Sequence, residues 1–191
     1  ADDLPGAEAA VRAALVQHRD EHFLTNLGAV LRQQSRHDEA SPWLEQALAI
    51  DPAFWTALLN LGIVRSRQGR LAEARDLLLR AAAQNGAVAL LQSELGRVHL
   101  RSGDRTAAEA CLLEAIRLDP ERQTAFADLA ILEFQRGAVA AALPYCRRAV
   151  ELDPHDLVSR TNLASIFYNL GQFDEALEVT AGVVEADPAA A

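Results

Sequence analysis

The alternation of packed and presented positions near the middle of the chain sets the terms for the rest. Leu58, Leu61, Gly62 and the aliphatic stem of Arg65 fall on one stripe at about 100° per residue, and Asn60 lies roughly opposite. One side of a helix packs there and the other is presented. A glycine inside a helix costs about 1 kcal/mol relative to alanine, so Gly62 predicts that another backbone comes very close.

The pattern recurs at a fixed interval, and a repeat of this kind decides the fold class before any local reading does. Leu27, Leu61, Leu95, Leu129 and Leu163 are spaced by 34 residues without insertion, and so are the small residues Gly28, Gly62, Gly96, Ala130 and Ala164. A second small series, Ala40, Ala74, Ala108, Ala142 and Ala176, keeps the interval, as do Pro52, Gly86, Pro120, Pro154 and Pro188. Each period holds two helical patterns parted by a break at Gly69, Gly103, Gly137 or Gly171, where glycine takes up the left-handed conformation that ends a helix. The Asp-Pro pairs beginning at Asp51, Asp119, Asp153 and Asp187 are expected to stop the second helix and start the next, the aspartate capping free amides. The prediction is an all-α chain of helical hairpins that stack on one another through small side chains.

Composition agrees and removes several function classes. Half of the residues are hydrophobic but only 5% are aromatic, which favours close-packed helices over sheet. No apolar run approaches the ~20 residues of a membrane span, so no membrane insertion is expected. A net charge of -9 argues against tracking phosphates, so no nucleic acid partner is expected. The sequence contains no lysine, which rules out a Walker-type phosphate loop and a lysine Schiff base within this chain. An arginine-only set of basic residues also suggests a GC-rich bacterial genome. Cys111 and Cys146 lack metal-ligand spacing and are too few to staple a secreted fold. Their reading as free thiols favours the cytoplasm, although a start at Ala1-Asp-Asp also suits signal cleavage and a periplasmic location.

The spacing and residue sizes together resemble the tetratricopeptide repeat (TPR), W-x2-L-G-x2-Y followed by A-x3-F, A and P over thirty-four residues. Leu24, Leu27, Gly28, Leu31, Ala40, Leu44, Ala47 and Pro52 carry the likeness in the first repeat, and Leu58, Leu61, Gly62, Ala74, Leu78 and Ala81 in the second. Leu95, Gly96, Ala108, Leu112, Ala115 and Pro120 follow, then Phe126, Leu129, Ala142, Cys146, Ala149 and Pro154, then Leu163, Phe167, Ala176, Val183 and Pro188. The resemblance implies a right-handed α-solenoid with repeats at 21–52, 53–86, 87–120, 121–154 and 155–188. A half repeat at 1–18 precedes them, its helix running from Leu4 to Val16. The chain departs from the pattern at Arg65, His99 and Glu133, where the family has a large aromatic, and at Gln92 and Arg160, where it has tryptophan. Asn85-Gly86 replaces Asp-Pro before the third repeat, and together these departures bear most on the packing around that repeat. Pro42 and Pro144 are expected near a helix start, where proline loses little. With no polar capping helix after the fifth repeat, the chain reads as a piece of a longer protein or as one whose end is covered by end-to-end self-association.

Residues about 140° to 200° from Leu58 and its equivalents define the presented face of the first helix in each repeat. They are His22, Asn26, Ala29 and Gln33, then Thr56, Asn60, Ile63 and Arg67, then Leu90, Glu94, Arg97 and Arg101. Thr124, Asp128, Ile131 and Gln135 continue the face, and Val158, Asn162, Ser165 and Asn169 end it. In the resembled family this face lines a concave groove for extended peptides. Asn26, Asn60 and Asn162 resemble the asparagine ladder of O-GlcNAc transferases, whose amides both donate to and accept from a peptide backbone. Glu94 and Asp128 interrupt that ladder. Arg67, Arg97 and Arg101 share the face and predict an acidic segment or a free chain terminus as ligand.

His18 and His22 complete the H-x-x-E-H pattern of a zinc protease, but the repeat places His18 in a turn and His22 on the next helix, off a shared helical turn. His37, His99 and His155 are scattered, Trp43 and Trp55 fill gaps, and no nucleophile motif is present. No catalysis and no cofactor are expected. The expected function is protein or peptide binding as an assembly scaffold or substrate recruiter. The alternative is the recruiting arm of a larger bacterial enzyme, such as a TPR-containing glycosyltransferase, with catalysis outside this chain.

Overall fold

The computed structural model describes residues 5, 6, 8–10 and 20–186, with the side chains of 182–186 excepted. The remainder of the Leu4 to Val16 stretch, His18, the Val183 side chain and the pair Asp187 and Pro188 lie outside the described residues. Among the described residues from position 21 onward, ten helices follow in antiparallel pairs. They are α1 (Glu21–Gln33) and α2 (His37–Ile50), α3 (Trp55–Arg67) and α4 (Leu71–Gln84), and α5 (Ala89–Arg101) and α6 (Arg105–Leu118). The pairs α7 (Gln123–Gln135) and α8 (Val139–Leu152), then α9 (Leu157–Asn169) and α10 (Phe173–Ala186), complete the set. Consecutive hairpins pack in series, and first helices also touch the first helices of their neighbours. The chain is an all-α solenoid.

Each hairpin turns in the same way. At the end of α3 the Gly69 amide donates to the Ser66 carbonyl and the Arg70 amide to the Arg65 carbonyl, with Gly69 at φ 80°. This double closure satisfies carbonyls that the helix end would otherwise leave bare. Gly103, Gly137 and Gly171 repeat it at φ 82°, 80° and 75°. In the first hairpin the same pair of bonds runs from Ser35 and Arg36 to Arg32 and Leu31, and Ser35 holds φ 60° without being glycine.

The small rungs act inside a hairpin, not between hairpins as the sequence suggests. A Cβ built on Gly62 would stand 2.8 Å from Leu78 Cγ, and one on Gly96 would stand 2.6 Å from Leu112 Cγ, both partners lying on the second helix of the same hairpin. The junction between hairpins uses the later alanines instead. Ala47 of α2 packs with Leu24 and with Ala57 of α3, and Ala115 of α6 packs with Ala125 and Leu129 of α7, all of them buried.

The aspartates before proline also act differently from expectation. Asp51, Asp119 and Asp153 sit at the C-caps of α2, α6 and α8, and each carboxylate accepts from the amide two residues on, at 2.9, 3.1 and 3.0 Å. They close a turn and leave the next helix, four residues later, to find its own cap. Asp156 does so for α9, accepting from the Val158 and Ser159 amides at 3.3 and 3.2 Å. Pro42 and Pro144 stand at the sixth residue of their helices, one turn deeper than predicted, and both are on the exposed side, where the lost ladder bond is met by solvent.

Three of the departures from the family pattern, Arg65, Gln92 and Glu133, are absorbed by polar contacts. Arg65 is buried between the first two hairpins, pairing with Glu45 and Glu73 and donating to Ser41 Oγ at 2.8 Å and Gln68 at 2.9 Å. Gln92, in the tryptophan position, donates to the Gly86 carbonyl at 3.0 Å and so ties down the segment that lacks Asp-Pro. Glu133 pairs with Arg136 at 2.7 Å.

Candidate functional site

The first helices α1, α3, α5, α7 and α9 stand side by side because their hairpins repeat in register, so the residues opposite each packing stripe form one continuous face. Its chemistry changes along its length. At the second hairpin the Asn60 amide nitrogen donates to the Thr56 carbonyl at 2.8 Å, and its oxygen accepts from Arg32 Nε at 3.0 Å. Both ends of that amide are engaged within the chain. Asn26 is exposed one hairpin earlier, and Asn162 is half-buried three hairpins later and makes no hydrogen bond among the described residues.

The centre of the face is a charged knot. Arg97 donates to Glu94 at 2.9 Å and to Asp128 at 3.0 Å, joining the third hairpin to the fourth. Glu94 is only 6% exposed and Asp128 8%. Burial disfavours the charged form of Asp128 by more than the Arg97 guanidinium favours it, and lifts its pKa to about 6. For Arg97, burial works against the charge, but the two carboxylates outweigh it and hold the pKa above its ordinary value. The second Glu94 oxygen is buried with no hydrogen-bond partner.

Three further guanidiniums border the knot and pair with no carboxylate among the described residues. Arg101 reaches back to the second hairpin, donating to the Ser66 carbonyl at 2.7 Å and to Ser66 Oγ at 3.1 Å. Arg67 is exposed and has no hydrogen bond or ion pair among the described residues, although Asp128 and Arg32 feel its charge. Arg32 holds Asn60, and burial lowers its pKa while Glu94 opposes that shift. Arg32 was not among the residues picked out by helical angle. It lies on the flank of the packing stripe, in the column that continues as Ser66, Leu100, Phe134 and Tyr168, and it reaches the face only because the next hairpin begins beneath it.

Between α7 and α9 the face opens into a cavity of about 380 Å³. Ala130, Ile131, Phe134 and Ile166 give it apolar walls, and Asn162 and Asn169 stand among its lining residues with Gln135 and Ser165. Asn169 Nδ2 and Ser165 Oγ are turned back onto the carbonyls of Ser165 and Thr161, at 2.7 and 2.9 Å. Among the described residues no titratable group lines the cavity.

The histidine of the first hairpin's face, His22, stands edge-on to Phe54 with ring centroids 4.7 Å apart, and its sequence partner His18 is outside the described residues. Cys111 and Cys146 are free thiols, and burial pushes the Cys146 pKa up to about 11, with Asp156 adding to the rise. Among the described residues no helix is long and apolar enough to cross a membrane.

No curated protein matches the sequence. Solved structures match the fold at low identity. The MamA protein superposes with a TM-score of 0.70 at 20% identity, covering 88% of this chain and 92% of its own. YrrB gives 0.67 at 21%, with 96% and 95% covered, and the pilF protein of Pseudomonas aeruginosa 0.77 at 22%, with 94% and 78% covered. Two sequence profiles, both of the tetratricopeptide repeat, match residues 1–53 with 93–156 and residues 31–95 with 133–191. With that coverage and the helical-hairpin solenoid just described, the chain belongs to the tetratricopeptide repeat family.

Proposed function

We propose that this chain is a protein-interaction module that binds an extended, acidic peptide segment along the face of its first helices, and so serves as an assembly scaffold or substrate recruiter. The observation that carries this reading is the unpaired set Arg32, Arg67 and Arg101. The chain bears a net charge of -9, and many of its arginines already hold carboxylates. Three guanidiniums on one face with no carboxylate partner among the described residues are therefore available to a ligand that brings its own. The knot of Glu94, Arg97 and Asp128 fixes the floor on which they stand. YrrB, which shares the fold, is described as a TPR protein with an unusual peptide-binding site, which makes a peptide a reasonable ligand class here.

The test is a titration with fluorescent dodecapeptides rich in glutamate and with counterparts in which glutamine replaces each glutamate. The acidic peptides should bind and weaken with salt, and Arg67→Ala with Arg101→Ala should lower affinity about tenfold or more, since a charge-assisted bond is worth about 1.5–3 kcal/mol. Equal binding of the glutamine peptides would overturn the reading.

A further inference from the structure

Nothing in the arginine cluster explains the cavity between α7 and α9. It lies two first-helix steps away, has no charged lining, and holds Phe134, a large side chain left 38% exposed. It is also distinct from the hollow that Tyr168, Phe173 and Leu177 line between α9 and α10, since its own walls come from α7 on one side and α9 on the other. A pocket of this size with apolar walls and a few amides at its edge suits one large apolar side chain whose backbone is held at the rim. Asn162 supplies that hold, being the ladder asparagine at the cavity and making no hydrogen bond among the described residues.

Resting on the peptide-binding reading above, we propose that the cavity between α7 and α9 is a second subsite of the same groove. It takes one aromatic or large aliphatic side chain of a peptide whose acidic residues lie over Arg67 and Arg101. The charge pattern selects this occupant. A ligand drawn by unpaired guanidiniums on α3 and α5 runs along the face onto α7 and α9, where an acidic side chain would meet no counter-charge and an apolar one meets Ile131, Phe134 and Ile166. The spacing follows from geometry. Packed helices lie about 8–10 Å apart, so two steps span about 16–20 Å. An extended chain rises about 3.3 Å per residue, which sets the acidic and apolar residues about five or six positions apart.

The experiment compares peptides that carry two glutamates and one tryptophan separated by two, five, six or ten residues, with alanine replacing tryptophan as the reference. The tryptophan peptide spaced by five or six should bind about tenfold tighter than its alanine reference, the usual gain for burying a large apolar side chain, and the other spacings should gain less. Ser165→Trp, at an exposed position on the rim, fills the cavity and should cancel that gain, so that the tryptophan and alanine peptides bind this variant alike. Helix content measured by circular dichroism should match the parent protein. A tryptophan gain that is absent, indifferent to spacing, or untouched by Ser165→Trp overturns the subsite. If acidic peptides still bind and still depend on Arg67 and Arg101, the groove reading survives that result. If no acidic peptide binds, both fall.

Discussion

Hairpins one to three and hairpins four and five place different residues at the same repeat positions, in the core as well as on the face. Gly28, Gly62 and Gly96 oppose Leu44, Leu78 and Leu112, whereas Ala130 lies in one cluster with Cys146, the residue in the leucine position, and Ala164 has Thr180 in that position. Where the first helix gives up its side chain the second supplies a branched one, and where it keeps a methyl the second supplies something smaller. Total volume at the crossing is held while its division changes, as close packing requires. The faces differ in parallel. Where hairpins three and four meet, Glu94, Arg97 and Asp128 are knotted together and sunk, and Ile63 of hairpin two is 2% exposed, whereas between hairpins four and five the face opens into the apolar cavity. One backbone design thus carries two kinds of surface.

Swapping one packing solution into the other tests whether the two are equivalent. Leu112→Cys in the glycine background should cost about 2–4 kcal/mol, because the buried leucine leaves a gap that Gly96 cannot fill. Gly96→Ala should cost about 1–2 kcal/mol. Its Cβ would come within 2.6 Å of Leu112 Cγ and 3.3 Å of the Ala108 carbonyl oxygen, which outweighs the gain of about 1 kcal/mol in helix propensity. Together the two changes recreate the Ala130 and Cys146 arrangement, and urea unfolding should show the double variant to be more stable than the sum of the single costs by about 1 kcal/mol or more. Additive costs would mean that the two halves are not alternative solutions to one packing problem.

The charged knot at the junction of hairpins three and four can be tested through Asp128. Its pKa of about 6 lies above the ordinary aspartate value, so the folded chain takes up this proton before the unfolded one as pH falls. The group's contribution to stability is therefore fully present below about pH 4 and is lost as pH rises through about 6. Asp128→Asn should remove that slope, on the order of 1–3 kcal/mol across the window, in unfolding measured from pH 4.5 to 7.5. Binding should follow the same proton. Neutral Asp128 releases part of Arg97, so an acidic peptide should bind several-fold more tightly at pH 5 than at pH 7.5, where its own carboxylates stay ionised in both cases. In Asp128→Asn the affinity should be high and nearly flat. A parent protein with no pH dependence, or a variant that keeps it, would show the knot to be inert toward ligands.

The helices, the hairpin order and the glycine turns were legible because each depends on a period that sequence displays directly. The face was legible in part. Helical angle placed Asn60, Arg67, Glu94, Arg97, Arg101, Asp128, Asn162 and Asn169 on one side, but angle says nothing about what an adjacent hairpin extends toward them. Arg32 engages Asn60 from the preceding hairpin, and Arg97 draws Glu94 and Asp128 below the surface, so two ladder positions that look solvated in sequence are buried. Phe134 was missed for the same reason as Arg32, since its column flanks the stripe and opens onto the face only where the next first helix stands off. The arginine at 65, in a packing position, gave no sign in sequence of the carboxylates of two helices that make it tolerable.

The hairpin turn, unlike the core and the face, is the same in both halves. Four of the five turns use glycine at φ between 75° and 82°, and the first uses Ser35 at φ 60° with the same two closing hydrogen bonds. A side chain in this region costs about 1–2 kcal/mol that glycine avoids, and part of that gain is returned through the looser unfolded chain. Ser35→Gly should therefore stabilise the protein by about 0.5–1 kcal/mol in urea unfolding. Because Ser35 lies at the turn and off the first-helix face, peptide affinity and the pH profile of Asp128 should not change. A stabilised protein with unchanged binding would show that turn geometry is independent of the surface each hairpin carries. A loss of binding would mean instead that the tilt of the first hairpin, and with it the reach of Arg32 to Asn60, is set at this residue.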